Sequence, residues 1–375
     1  MIRLAHLNCF SMKNPVLLAI LSMVGTIVGA GVFGLPYVFA EAGTVLALVY
    51  SVILGLAAVC IHLLYAKIAI MTPGKHRLVG YVQKHLGRRE ADVVSVTNPM
   101  NMLGSLLAYL ILGGSFLSVI FGGSTTVWGL IFFGLFAILI IFPFHRVEYV
   151  ESILTWLLIA IAILIVVLVS PHVKLENFGV ANMSKWFLPY GVIFFSFGGL
   201  SVVPDIVESL KKNMRRVGIA IIAGTVVSIV LSVAFGAVVA GATGGATTQD
   251  AIGGLVPVVG RSIVALGAIF GLLAVATSFV SIGENLKEQF VLDFKFSKLA
   301  AWSATIGIPL VAFIFGARDL INVLGFVGSV FGVIDGMIIA LMARRVVKGP
   351  LRAFAIPLIV VFAVGLISEI FIIFK

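Results

Sequence analysis

Charge is what this chain lacks. Of its 375 residues only 11% are Asp, Glu, Lys or Arg, against roughly one quarter in soluble domains, which is too little polar surface to keep a chain of this size in water. Acids are scarcest: 15 Asp and Glu stand against 25 Lys and Arg, a formal net charge of +10. Cysteine is nearly absent, and Cys9 and Cys60 are too few and too apolar in context for a disulfide framework or a metal cluster. The sequence holds no paired carboxylates with a nucleophile, no His and Cys at metal-ligand spacing, and no glycine-rich phosphate loop with its Lys. That leaves no enzyme's constellation and no resident cofactor. The basic excess does not mark a nucleic-acid surface either, because the Lys and Arg residues fall between apolar runs, where they orient a chain in a bilayer.

What is abundant is hydrophobicity, at 61% of residues with a mean hydropathy of +1.22. Runs of about 18 or more residues without charge recur along the whole length, each long enough for the ~30 Å hydrocarbon layer. They predict an all-α integral membrane protein of about eleven spans, at 15–38, 43–66, 99–121, 127–144, 149–170, 186–209, 217–242, 262–283, 299–317, 320–343 and 353–373. Ala40-Glu-Ala42 has the form of a signal cleavage site, but the run before it is too long and too Gly-rich for a signal peptide and is kept as a span. With the N-terminus cytoplasmic, the inner connections collect 20 of the Lys and Arg residues and the outer ones 5. That bias places the chain in the cell membrane with its C-terminus outside. The longest polar connection, Thr72 to Asn98, is then inner and basic, with a short amphipathic helix over Gly80 to Leu86. The lipid bilayer is the one large partner implied, and the sequence sets no oligomeric state.

Two spans are interrupted. Gly25-Thr-Ile-Val-Gly-Ala-Gly-Val-Phe-Gly-Leu-Pro36 lies in the middle of the first run, and Ser196-Phe-Gly-Gly-Leu-Ser-Val-Val-Pro204 in the middle of the sixth. Lipid offers no partner for freed N–H and C=O groups, so such breaks survive only where they face protein or a wet cavity. Interrupted helices in corresponding positions point to a secondary transporter with a central site. Spans 1 to 5 (15–170) and 6 to 10 (186–343) each open with a broken helix. An odd number of spans per group makes the second an inverted repeat of the first, with 353–373 an added helix in a single transmembrane domain, 1–375.

Around the first break, Gly25 and the stretch Thr26, Ile27, Val28, Gly29, Ala30 and Gly31 would offer carbonyls to a cation and a helix N-terminus to a carboxylate. The same small residues also suit close helix packing. Around the second, Phe194 and Phe197 could wall an apolar side chain beside the bare backbone of Gly198, Gly199 and Ser201. Ala274, Thr277 and Ser278 of span 8 form an oxygen-bearing patch in an apolar helix, suited to Na⁺ together with carbonyls of Gly25 and Val28, or else to bonds within their own helix. Asp335 is the one acid well inside an apolar run, a candidate for proton coupling. Its plainer alternative is water or a pair with Arg344 or Arg345. Asp205, three residues from Glu208 on one helix face, is the second proton candidate. Asn101, Asn182 and His62 are weaker candidates.

These segments resemble the amino acid/auxin permease family, within the amino acid, polyamine and organocation superfamily that shares the LeuT fold. GTIVGAGVFGLPYVFAEAG is similar to that family's GxGILGLPYAFxxAG signature. SLLAYLILGGSF, FFSFGGLSVVPDIVESLKKNM and LLAVATSFVSIGENLKE resemble its third, sixth and eighth spans, with Ser115 where an acid is common. The resemblance implies an ion-coupled importer of neutral amino acids, apolar or aromatic, working by alternating access. It implies substrate contacts at residues 26–31 and 197–201 with Tyr109 near the carboxylate, and a sodium site at Gly25, Val28, Ala274, Thr277 and Ser278. Val32 stands where relatives complete a second sodium site, and residues 152–170 lack the Lys of some proton-coupled permeases. Proton coupling, or a non-transporting sensor on the same architecture, are the alternatives.

Overall fold

The structure is a computed structural model that describes residues 14–74, 76–141 and 148–373. Cys9, Arg3, Lys13, Lys75, Arg146 and Lys375 lie outside the described residues.

Each apolar run folds as helix. The first begins where Asn14 accepts the Val16 N–H and Pro15 presets the first turn. It gives α1 (Pro15–Ile27) and α2 (Ala30–Ala42), bent by 54° at their junction. There follow α3 (Thr44–Met71), the short amphipathic α4 (Leu78–His85), α5 (Arg88–Phe121), α6 (Thr125–Leu139) and α7 (Glu148–Val169). The sixth run is split into α8 (Leu188–Ser196) and α9 (Val203–Ser209) by three non-helical residues and one 3₁₀ turn. α10 (Met214–Thr243), α11 (Val256–Leu292), α12 (Lys298–Ile314), α13 (Leu320–Phe326), α14 (Val333–Val346) and α15 (Ala355–Ile373) complete the chain. Between α13 and α14 the tenth run widens into a π-type turn, Val327–Gly332, a distortion that helices keep mostly at functional places.

Among the described residues, eight helices are long and apolar enough to cross a membrane, nine with the bent α1–α2 pair taken as one. The apolar α6 and α12, of 15 and 17 residues, are shorter. The sequence-based boundaries need one correction. Thr72 to Asn98 is mostly helix, because α5 starts at Arg88 and runs straight through Pro99. Charges at Arg88, Arg89, Glu90 and Asp92 end the apolar run without ending the helix, so Thr97 and Asn98 belong to a span and not to a loop.

The apolar side chains sort into two large buried clusters, one on α5, α6 and α11, the other on α3, α8 and α14, with α1 and α2 contributing to both, and a small third one of Phe39, Ala47 and Ala240. Phe33 of α2 sits inside the first of these, its ring meeting Phe116, Phe235 and Phe270 at 4.8, 5.9 and 5.9 Å. Large apolar residues left outside, such as Leu56, Leu135 and Val230, face where lipid would lie.

Candidate functional site

Both breaks rewrite the backbone ladder. In the first, the Gly29 N–H turns to Ile27 O (2.9 Å) instead of Gly25 O, and the Val32 N–H reaches Gly29 O (3.4 Å) instead of Val28 O. Gly25 and Val28 thereby lose their helical donors, as the glycines suggest. In the second, the Gly198 N–H takes Phe195 O (3.0 Å), while the Gly199 N–H donates to Nε2 of His62 (3.1 Å), a buried residue of α3.

The breaks touch each other. A Cβ added to Gly31 would lie 2.5 Å from Ser196 Cα, and one on Gly199 would lie 2.9 Å from Ile27 and Met23 side-chain atoms. Glycine is required at Gly31, where backbone approaches backbone, while at Gly199 side chains of α1 pack directly on the backbone.

Beside this junction is a cavity of about 110 Å³. Of the residues expected to meet substrate, Thr26, Ile27, Gly29, Ala30, Gly31, Tyr109, Phe194, Phe197, Gly198 and Ser201 line it, and Val28 and Gly199 do not. Val28 is buried behind the wall, and Gly199 is turned to His62. The far end is polar in a way the sequence did not reveal, with Asn98, Asn101, Ser105 and Asp335 on the wall. Asp335 Oδ1 accepts from Thr97 Oγ1 at 2.5 Å and Oδ2 from Asn98 Nδ2 at 3.0 Å, and Gln289 Nε2 donates to Asn98 Oδ1 at 3.2 Å. Asp335 is therefore buried and satisfied by neutral donors, not paired with Arg344 or Arg345. The Asn101 carboxamide has no hydrogen-bond partner among the described residues.

A second cavity of about 510 Å³ shares Thr26, Tyr109 and Ile282 with the first and extends to Asp205 and Glu284. Gly25, Ala274, Thr277 and Ser278, four of the five expected sodium ligands, line it. Thr277 Oγ1 donates within its own helix, to Leu273 O and Ala274 O at 3.0 Å each. That spends its proton and leaves oxygen lone pairs. Ser278 and Tyr109 meet at Gly29, whose added Cβ would be 3.4 Å from the Ser278 hydroxyl and 3.6 Å from the Tyr109 hydroxyl. Thr155 of α7, not singled out in the sequence, covers Gly25 from the other side, 2.6 Å from where a Cβ would be.

Asp205 stands apart from the central cavity. It accepts from Arg77 Nη1 at 2.9 Å, and the same guanidinium reaches Asn285 (3.1 Å) and Glu288 (3.7 Å). Burial pushes the Arg77 pKa down more than any single neighbour raises it, but the charge and hydrogen bond of Asp205 together with the charge of Glu288 more than offset it and hold the guanidinium above its ordinary value. This is an ion-paired strut between the segment before α4, α9 and α11, a setting unlike that of a buried proton carrier. Asn182 is a loop residue that accepts from the Ser184 N–H and donates to Glu41 O, and it lines neither cavity.

Two broken helices abutting over a shared cavity define a membrane transporter of LeuT-like fold, and solved structures agree. MhsT in complex with L-phenylalanine matches with a TM-score of 0.68 at 19% identity, covering 93% of this chain and 98% of that one. Mhp1, a nucleobase-cation-symport-1 family transporter, matches with a TM-score of 0.66 at 16% identity, covering 96% and 90%. The sequence pattern of the tryptophan/tyrosine permease family matches residues 12–367, and the chain belongs to that family. It is similar to the tyrosine-specific transport system 1 of Haemophilus influenzae, 24% identical over 83% of each chain. It is also similar to glutamine transporter 2 of Aliivibrio fischeri, 24% identical over 83% of this chain and 84% of that one. The family matched is thus not the amino acid/auxin permease family that the motifs resemble; the two readings share an amino acid permease on a LeuT-like scaffold. The protein is a multi-pass membrane amino acid transporter and not an enzyme.

Proposed function

We propose that the protein imports a neutral amino acid across the cell membrane, its N-terminus inside and its C-terminus outside, driven by Na⁺. The carrying observation is the meeting of the two breaks at Gly31 and Ser196 beside the central cavity. Freed carbonyls and a helix N-terminus there suit the ammonium and carboxylate that all amino acids share. Tyr109 and Gly29 lie at that end. Along α5, Asn101 is eight residues from Tyr109, about 12 Å at 1.5 Å per residue, so a substrate that reaches Asn101 has a long side chain. Its stem would run along Phe194 and Phe195, and its tip would meet the open carboxamide of Asn101. A phenol or an amide, the ends of tyrosine and glutamine after which the two relatives are named, suits that tip better than a purely apolar one. At 110 Å³ the cavity is smaller than the ~150 Å³ that admits benzene, so binding must widen it. The 510 Å³ cavity is the route between the centre and the basic, cytoplasmic face.

Na⁺ would sit among Gly25, Val28, Ala274, Thr277 and Ser278, whose neutral oxygens suit weak, reversible coordination. One observation favours a second reading. Asp335, on the cavity wall and held by Thr97 and Asn98, is placed for a proton to take the ion's role. We also read residues 15–170 and 186–343 as inverted repeats, with spans 1, 2, 6 and 7 rocking against the rest of the bundle. A thermal-shift screen of the twenty amino acids, with and without sodium, tests binding and ion. Accumulation of labelled tyrosine or glutamine in proteoliposomes separates a transporter from a sensor, which binds without concentrating anything.

A further inference from the structure

His62 has no place in the transport scheme above, yet a polar ring at membrane depth is kept only where something needs it. We infer that His62 is a positioning residue that holds the second break open for the substrate, an inference resting on the reading that the two breaks receive the substrate's main-chain groups.

In an unbroken helix Phe195 O would receive the Gly199 N–H. Here Phe195 O has taken the Gly198 N–H, and His62 Nε2 receives the Gly199 N–H at 3.1 Å. An amide N–H only donates, so Nε2 is the bare nitrogen and the ring proton is on Nδ1. Nδ1 lies 3.1 Å from Thr225 Oγ1 on α10, which accepts that proton. Both ring nitrogens are thus committed, in one neutral tautomer, and the ring ties α3 and α10 to the gap between α8 and α9. The Met23 and Ile27 side chains of α1 pack against the same residue, 2.9 Å from where a Gly199 Cβ would be. Without the imidazole, the Gly199 N–H either returns to Phe195 O and rebuilds the helical turn, or is left unpaired. The first outcome turns the backbone at Gly198, Leu200 and Ser201 away from its place on the cavity wall, and the second removes the bond that holds it there.

The test uses the full-length protein, with L-tyrosine and L-glutamine as probes, and compares His62→Leu, His62→Gln and Thr225→Val. Ligand-induced thermal shifts and uptake kinetics in proteoliposomes are measured for each. His62→Leu should raise KM by about tenfold or more, because the binding backbone is misplaced. His62→Gln, whose amide oxygen can still accept from Gly199, should stay close to wild type, and Thr225→Val should fall between. Equal ligand responses in wild type and His62→Leu, or equal damage in the Leu and Gln variants, overturn the inference alone. A wild type that responds to no amino acid overturns the reading of the breaks and this inference with it. Should His62→Leu not fold, ¹⁵N-histidine spectra of the wild type decide, with the His62 signals assigned by their loss in His62→Gln. Protonated Nδ1 with bare Nε2 is expected, and the opposite tautomer or a doubly protonated ring overturns the assignment.

Discussion

Gly31→Ala adds one methyl group at the point where the two broken helices meet. The new carbon would lie 2.5 Å from Ser196 Cα, 2.6 Å from its Oγ and 2.8 Å from its Cβ, where real Cβ atoms keep at least 3.0 Å. α2 and α8 must therefore part by about 0.5 Å or more, and no rotamer change relieves the clash, because the first obstacle is main chain. Overpacking of this kind costs about 1 to 3 kcal/mol, and a displacement approaching 1 Å in a binding constellation lowers activity by roughly 10²-fold. Gly34→Ala, one turn along the same helix, is the control: its obstacles are the methyl ends of Leu324 (2.8 Å) and Val192 (3.2 Å), which can yield. Initial rates of tyrosine and glutamine uptake, together with the melting temperature of each purified variant, give the comparison. Gly31→Ala should fold with reduced stability and transport at a few per cent of wild type or less, while Gly34→Ala keeps most activity. Wild-type KM and rate in Gly31→Ala, or equal losses in both variants, would refute the reasoning.

Three further outcomes are expected. Thr277→Ala combined with Ser278→Ala should abolish the sodium dependence of uptake; uptake that is sodium-independent from the start but collapses in Asp335→Asn moves the coupling to protons. Arg77→Ala removes the tie to Asp205 and Glu288, whose partly exposed side chains make it worth only about 1 kcal/mol. It should leave substrate binding intact while speeding efflux from preloaded vesicles, and unchanged efflux would deny the strut a gating role. Asn101→Leu should erase a preference for tyrosine over phenylalanine and for glutamine over methionine, a discrimination that a hydrogen-bonding pocket can carry to large factors. Substrate competition measures it, and an unaltered preference would remove Asn101 from the pocket.

Helices and breaks were legible in the sequence for a common reason. A lipid solvent allows long charge-free runs and few exceptions, so Gly29, Gly31, Gly198 and Gly199 stood out against it. Ten of the cavity's lining residues follow from those two motifs and Tyr109. What stayed hidden is side-chain pairing across the bundle. Thr97 and Asn98 precede Pro99 and follow a charged stretch, so they read as loop, although the helix runs on and brings them to Asp335, 238 and 237 residues away. His62 is a single polar residue in an apolar run, and only the position of Gly199, 137 residues further on, shows its use. Arg77 counted as one inner charge among many until Asp205 and Glu288 came beside it. Thr155 gave no spacing signal beyond Ser152, three residues before it.

Hydrogen-exchange mass spectrometry of the full-length protein, with and without a saturating transported amino acid, puts the account to its most direct trial. The peptides spanning residues 26–32 and 196–202 should gain protection together, and the decarboxylated analogue of the same substrate should protect neither. Protection confined to one peptide, or full protection by the analogue, would contradict a substrate held by its main-chain groups between two opened helices.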